Sequence, residues 1–204
     1  NMHKQRLILH IPEQNELWFV EQIQQDPFTM AYNANLDLQY PGYHKETGCI
    51  DFPKDKWADF IEHWIGHEPE RFFAYVERSA DSQWIGTVNF HQSAQGNWWD
   101  MGIVIYSPYR QMGYGTEALN LLLKHAFIHC GISEIRNEFE INRNDGSALQ
   151  MHLAAGFKSM SQTVGLVEVR ITREDYLLSL ATTKSWNLHV IENKIEFCEL
   201  KSNE

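Results

Sequence analysis

Three consecutive segments constrain the fold more than any other feature: RFFAYVER from Arg71, QWIGTVNFHQ from Gln83 and NWWDMGIVIY from Asn97. Each is rich in β-branched or aromatic residues, which suit the pleated, half-buried surface of a strand. The links between them, SADS and SAQG, are too short for a helical crossover, so antiparallel hairpins are the economical connection. The chain then changes character. SPYRQMGYGTEALNLLLKHAF, from Ser107 to Phe127, opens with glycines and continues as a helix, with Leu119, Leu122, Leu123, Ala126, Phe127 and Cys130 on one stripe and Gly131 past its end.

Other elements fall around this centre. RLILHI reads as a first strand, Glu13 to Gln25 as a helix, and Phe28 to Phe52 as an irregular stretch. Pro53 opens a second helix in which Trp57, Phe60, Ile61, Trp64 and Ile65 recur at helical spacing, with Gly66 as a stop. SEIRNEFEIN alternates, placing Ile135, Asn137, Phe139 and Ile141 on one face of a strand. Asn144 is a candidate cap for a short helix through Ala155, with Gly156 beyond it. GLVEVRIT is a further strand, and Thr172 with Asp175 reads as a capping box for REDYLLSLA. The expected order is β-α-α-β-β-β-α-β-α-β-β, an α/β fold with a mixed, mostly antiparallel sheet flanked by helices. Residues 1–183 form one domain, and 184–204 a C-terminal extension whose WNLHVIENKIEF reads as a strand pair.

Charge and composition exclude several classes. The formal net charge is −10, the opposite sign to a nucleic-acid binder and one that suits a cationic partner such as an amine. No apolar run reaches the length of a membrane span, and NMHKQRLILH shows no leader pattern. Cys49, Cys130 and Cys198 are odd in number and form no CxxC pair, which reads as reduced thiols in a cytoplasm.

The glycine turn admits three readings. A Walker loop needs Gly-Lys-Ser/Thr, but Thr116 and Glu117 follow Gly115. GYGTEA matches the G-x-G-x-x-A dinucleotide fingerprint, with Glu138 and Glu140 about twenty residues on. Against that reading, Ser107 to Met112 separate strand from glycine, and the upstream chain is antiparallel in style. The third pattern is Arg/Gln-x-x-Gly-x-Gly/Ala, met by Arg110, Gly113 and Gly115. Glycines there let backbone N–H groups turn inward, the helix N-terminus adds partial positive charge, and Arg110 adds a full one, which makes a cradle for a pyrophosphate.

With WDMGIVIYSPYRQMGYGTEAL and the later AAGF, the chain resembles the GNAT family of N-acetyltransferases, within it the branch like ribosomal-protein N-terminal acetyltransferases, from roughly Arg6 to Leu180. The resemblance implies acetyl-CoA as cofactor and direct acetyl transfer to a primary amine, of a small molecule or a protein N-terminus. It implies that Arg110, Gln111, Met112, Gly113, Tyr114, Gly115 and Thr116 hold the pyrophosphate, and that Ile103, Val104 and Ile105 hold the pantetheine arm through their backbone. Asn144 and Ser147 are implied near coenzyme A. Relatives carry a glutamate in a Tyr-Glu-Ile-Gly pattern where this chain reads Trp99-Asp100-Met101-Gly102, so Asp100 is the expected base through a water, with Glu138 as the alternative. They carry an acidic tyrosine where this chain has His152, which makes His152 the candidate acid for the departing thiolate.

The acceptor pocket is expected from Phe28 to Phe52 and the turn near Thr163 to Leu166, with Tyr32, Asp37, Tyr40 and Tyr43 as an aromatic and acidic wall for a cation. The pairs His63/His67 and His125/His129 have metal-ligand spacing, but neither carries the HExxH glutamate and no third ligand is apparent, so no metal is expected. A homodimer is one assembly open to such a chain. Two rivals stand beside the enzyme: a non-catalytic CoA-binding sensor or adaptor, and a Rossmann-like oxidoreductase.

Overall fold

The computed structural model describes residues 4–181, so the strand pair expected beyond residue 184 lies outside the described residues. A seven-stranded sheet runs in the order β1-β2-β3-β4-β5-β7-β6. The strands are β1 Leu7–His10, β2 Arg71–Arg78, β3 Gln83–Gln92, β4 Trp99–Ile105, β5 Glu134–Glu140, β6 Lys158–Thr163 and β7 Leu166–Thr172. The helices are α1 Trp18–Gln24, α2 Pro27–Met30, α3 Trp57–Trp64, α4 Tyr114–Lys124, α5 Ser147–Ala154 and α6, which starts at 173 and continues through 181.

The hairpin expectation holds. β2, β3 and β4 pair antiparallel, with Phe72 opposite Phe90 and Val88 opposite Ile103. Both faces of β2 are buried, which is why it reads as a continuous apolar run: Phe72, Ala74 and Val76 enter the core under α4, while Phe73 and Tyr75 enter the one under α1 and α3. The helix expected over Glu13 to Gln25 is split. A 3-10 turn, Gln14–Glu16, with a Glu13/Glu16 capping box precedes α1. The stripe read as one helix through Cys130 is α4 followed by a π-helix, His125–His129. The cap expected at Asn144 falls instead at Gly146 (φ 83°), with Asn144 and Asp145 also left-handed and no side chain capping α5. Thr172 does cap α6, its Oγ1 accepting from the Asp175 N–H at 3.1 Å.

The sheet is parallel at only one place. β4 and β5 pair at Trp99/Ile135 and Asp100/Arg136, and no further. Beyond those pairs the edge of β4 that faces β5, from Met101 to Ile105, has no strand on it. These residues lie mid-sheet, yet Gly102 to Ile105 are only half-buried. The two strands therefore part like a V, closed at Asp100/Arg136 and open towards the glycine loop.

Candidate active site

The loop at the mouth of the V is built for an anion. After a 3-10 turn, Ser107–Tyr109, the backbone turns through Gln111 (φ 62°) and Gly113 (φ 77°) into α4. Gly113 is the N-cap of α4 in a left-handed conformation that costs a side-chain-bearing residue about 1–2 kcal/mol. No side chain caps the helix. The natural candidate, Glu117 in the first turn, is turned away: its carboxylate accepts from the backbone N–H groups of Arg6 (2.7 Å) and Leu7 (3.0 Å) and from Arg6 Nε (3.0 Å). Among the described residues, no acceptor outside the helix meets the N–H groups of Gln111 through Thr116. Successive N–H groups without a protein acceptor and an uncapped helix N-terminus suit negative charge. Gly115 serves packing, since a Cβ there would stand 3.0 Å from Met151 Sδ of α5.

Arg110 lies beside these N–H groups, with three of its five N–H donors engaged by the backbone. Nε donates to Ile105 O (3.1 Å), Nη1 to Phe28 O (3.2 Å) and Nη2 to Thr29 O (3.1 Å). Burial pushes its guanidinium below the usual arginine range, with Asp26 and Tyr32 working the other way. The same junction holds a second tie: Ser107 Oγ donates to Asp26 Oδ2 (2.6 Å), and the Ser107 N–H donates to Thr29 Oγ1 (2.9 Å). Burial works to raise the Asp26 carboxyl, but hydrogen bonds from Ser107, Thr29 and the Phe28 and Thr29 N–H groups outweigh it and hold the group below the ordinary aspartate value. Arg110 thus fastens α2 to the loop, and two of its N–H donors are left over beside the loop's N–H groups.

Asp100 stands at the closed end of the V. Its Oδ1 accepts from Trp98 Nε1 at 3.1 Å and its Oδ2 lies 3.9 Å from His91 Nε2. The Trp98 ring carries the Arg136 guanidinium at 3.7 Å, so tryptophan, aspartate and arginine close the apex together. Glu138 lies on β5 two residues past the last paired position, on the face that Arg136 shares with Asp100. It is exposed, and its carboxylate meets no ion-pair or hydrogen-bond partner among the described residues.

His152 is placed differently from what a thiolate acid requires. It is 2% exposed, between the rings of Phe139 (4.7 Å) and Phe157 (5.0 Å). Its Nδ1–H donates to Ala148 O at 2.7 Å, which leaves Nε2 to accept from Asn137 Nδ2 at 3.0 Å. Burial lowers its pKa, only partly offset by the Ala148 bond. A neutral imidazole with its one proton bonded to the backbone has none to give, so the acid role expected from its position is corrected. Asn144 and Ser147 are exposed around the start of α5.

The expected acceptor wall is only partly assembled. Tyr32 lies half-buried under the Arg143 guanidinium, 4.9 Å from its ring, and burial raises its hydroxyl. The Tyr43 hydroxyl is committed to the loop: it donates to Asn33 O at 2.6 Å and accepts from the Leu36 N–H at 3.2 Å. Tyr40 and Asp37 are exposed on the same loop. Sequence reasoning missed Arg6, which clamps Met112 O at 3.2 Å, as well as Arg143 and Asn137. All three act through partners distant in sequence, so no local pattern marks them.

A strand pair that parts, a nest of N–H groups at its mouth and a meander beside it define the acetyltransferase class of mixed sheet. The Acetyltransferase (GNAT) domain family matches residues 6–158 of the 204. The chain belongs to the GNAT family and is an acetyl-CoA-dependent acetyltransferase acting on an amine. No curated protein matches it. Among solved structures, the spermidine N-acetyltransferase from Vibrio cholerae in complex with CoA and spermine is 16% identical, covers 85% of this chain and 99% of its own, and has a TM-score of 0.67. A dodecameric structure of the Vibrio cholerae spermidine enzyme in an intermediate state has a TM-score of 0.64 at 16% identity, covering 85% and 98%. A GNAT-family acetyltransferase from Bacillus anthracis has 0.61 at 17%, covering 83% and 96%. At such identity these likenesses speak for the fold. Among the described residues no helix is long and apolar enough to cross a membrane.

Proposed function

We propose that the chain transfers an acetyl group directly from acetyl-CoA to a primary amine of a small polycation, with Asp100 receiving the amine's proton through a water. The observation that carries this reading is the parting of β4 from β5 immediately beyond Asp100/Arg136, with the uncapped start of α4 at the open end. The N–H groups from Gln111 to Thr116 hold the pyrophosphate, and the free edge of Ile103, Val104 and Ile105 holds the pantetheine arm as an added strand. Acetyl-CoA supplies an activated acetyl thioester. A β4 N–H facing the V polarises its carbonyl. A lysine-like amine has a pKa of about 10.4, so it arrives charged and a carboxylate must take its proton before attack. Asp100, oriented by Trp98, stands on that face. The departing thiol has a pKa of roughly 8.5 and leaves without a dedicated acid.

The acceptor class rests on charge. The face of β5 and β7 that Asp100 shares carries Glu134, Glu138, Glu140 and Glu168; Arg136, Arg143 and Arg170 on or beside it pair with Glu134, Glu140 and Glu168, and Glu138 is left with no ion pair among the described residues. The name of the Vibrio cholerae neighbour points the same way. The test is thiol release from acetyl-CoA against spermidine, spermine, simple monoamines and a peptide N-terminus. Polyamines are expected to turn over. Asp100→Asn should cut turnover about 10²-fold with acetyl-CoA affinity retained. If Asp100→Asn is fully active and Glu138→Gln is not, the base is Glu138; turnover of the peptide alone overturns the acceptor class.

A further inference from the structure

On the side of the closed end of the V, away from the glycine loop, three donors of different chemistry converge. A Glu68 carboxylate oxygen, a ring nitrogen of His125 and Cys130 Sγ all lie within 4.8 Å of one another. Glu68 comes from the loop between α3 and β2, and its carboxylate is already in contact with His125 Nε2. His125 opens the π-helix at the carboxyl end of α4, and Cys130 is its C-cap.

The π-helix is what makes them partners. In an α-helix of 3.6 residues per turn, side chains five apart point about 140° away from each other. Here the Cys130 N–H donates to His125 O at 3.0 Å, a five-residue step that brings 130 back over 125. Such π segments recur at functional sites. The imidazole is fixed by stacking on Phe72, with ring centroids 4.1 Å apart. The loop is fixed too: Trp99 Nε1 donates to Pro69 O at 2.9 Å and the Gln92 N–H to Glu70 O at 2.8 Å.

We propose that Glu68, His125 and Cys130 bind a zinc ion, with water as the fourth ligand. One imidazole, one thiolate and one carboxylate are donors that zinc accepts at about 2.0–2.3 Å in a tetrahedral site. A sulfur and a nitrogen among the three do not suit magnesium or calcium, which take oxygen ligands. The two anionic ligands balance the charge of the ion, and the helix carbonyl end favours a cation. Glu68 is exposed and the other two are half-buried, so an ion has access. Without a cation the Cys130 thiol is pushed up to about 11 by burial and by the charge of Glu68. Zinc reverses that balance: the S–H bond breaks, the proton leaves to solvent and a Zn–S bond forms. The ion would clasp the 65–70 loop to the end of α4. The 11 residues of α4 put this roughly 15 Å from the glycine loop, so the ion would not reach the pyrophosphate nest.

The test uses the full chain stripped of metal. Titration with Zn²⁺ alone should show one high-affinity ion per chain and a rise in melting temperature, and Co²⁺ should give a thiolate-to-cobalt charge-transfer band. Cys130→Ser should abolish the band and weaken Zn²⁺ binding at least 100-fold; Glu68→Gln, a surface change that leaves the core untouched, should weaken it at least 10-fold. His125→Ala is avoided as the deciding variant because it removes the ring stacked on Phe72. Equal Zn²⁺ affinity in wild type and Cys130→Ser, or a cobalt complex without thiolate absorption, overturns the proposal.

Discussion

At position 152 a buried imidazole donates an N–H to Ala148 O, which either protonation state can do, and accepts from Asn137 Nδ2, which only the neutral ring can do. This has a sign that pH reveals. A histidine in the unfolded chain takes up its proton near pH 6.5, while burial lowers the folded value. Above about pH 6.5 both states are neutral and the contribution to stability is complete; as pH falls from there through the lowered folded pKa, the unfolded state is protonated first and stability is lost. His152→Phe keeps the ring volume and removes this titration. It is expected to cost about 1–2 kcal/mol at pH 7, for the lost Asn137 partner, and to flatten the decline in stability between pH 7 and pH 5 relative to wild type. Denaturant unfolding at several pH values measures both. Turnover of His152→Phe and His152→Tyr at saturating acetyl-CoA should agree within a few-fold; a folded Phe variant that is 10²-fold slower than the Tyr variant would return the acid role to this residue.

The link between α2 and the glycine loop shows which features sequence carries and which it hides. Short links and apolar strands are local facts, so the β2-β3-β4 meander was legible, as was the turn at Gly113, whose left-handed backbone favours the residue that stands there. The π-helix was not legible, because Leu122, Ala126 and Cys130 satisfy the α spacing equally well and only the bond between Cys130 and His125 distinguishes the two. The expected order ends on two strands, as observed, but only GLVEVRIT could be located for them, because β6 is an edge strand exposed along its length and needs no apolar alternation. The ties of Arg110 to the carbonyls of Phe28 and Thr29 were not legible, since those residues lie some eighty positions away. Arg110→Ala should therefore lower the stability of the ligand-free protein by about 2 kcal/mol, through loss of charge-assisted bonds to three carbonyls, and raise the KM for acetyl-CoA as the loop loosens. Thermal unfolding without ligand separates the roles. A variant with wild-type melting temperature and a raised KM would show Arg110 serving the phosphate alone.

At the scale of the whole molecule, the sheet divides labour between its two sides. One side of β5 and β7 buries Ile135, Phe139, Val167 and Val169 against the α4 core, while the other displays Glu138, Glu140 and Glu168 next to the V. Arg136, Arg143 and Arg170 stand among these acids: Arg136 pairs with Glu134 and Glu168, Arg170 with Glu134 and Arg143 with Glu140, which leaves Glu138 as the carboxylate of this set with no ion pair among the described residues, on a chain that carries −10 as a whole. A polycation approaching this face meets several negative charges at once, whereas a monoamine meets mainly the one nearest its reacting nitrogen. Glu138 is exposed and Glu140 and Glu168 are half-buried, and salt screens such attraction over a Debye length of about 10 Å at 0.1 M and about 3 Å at 1 M. Raising the salt from about 0.1 M to 1 M should therefore raise the KM for spermine at least five-fold, raise that for a monoamine less than two-fold, and leave kcat for both nearly unchanged, because screening acts on encounter and ground-state binding. Steady-state thiol release at fixed, saturating acetyl-CoA gives all four constants. Glu138→Gln should reduce the salt response for spermine by removing one of the attracting charges. Equal salt responses for spermine and the monoamine would mean that the acidic face takes no part in holding the acceptor, and that the polycation reading of this site is wrong even if acetyl transfer itself stands.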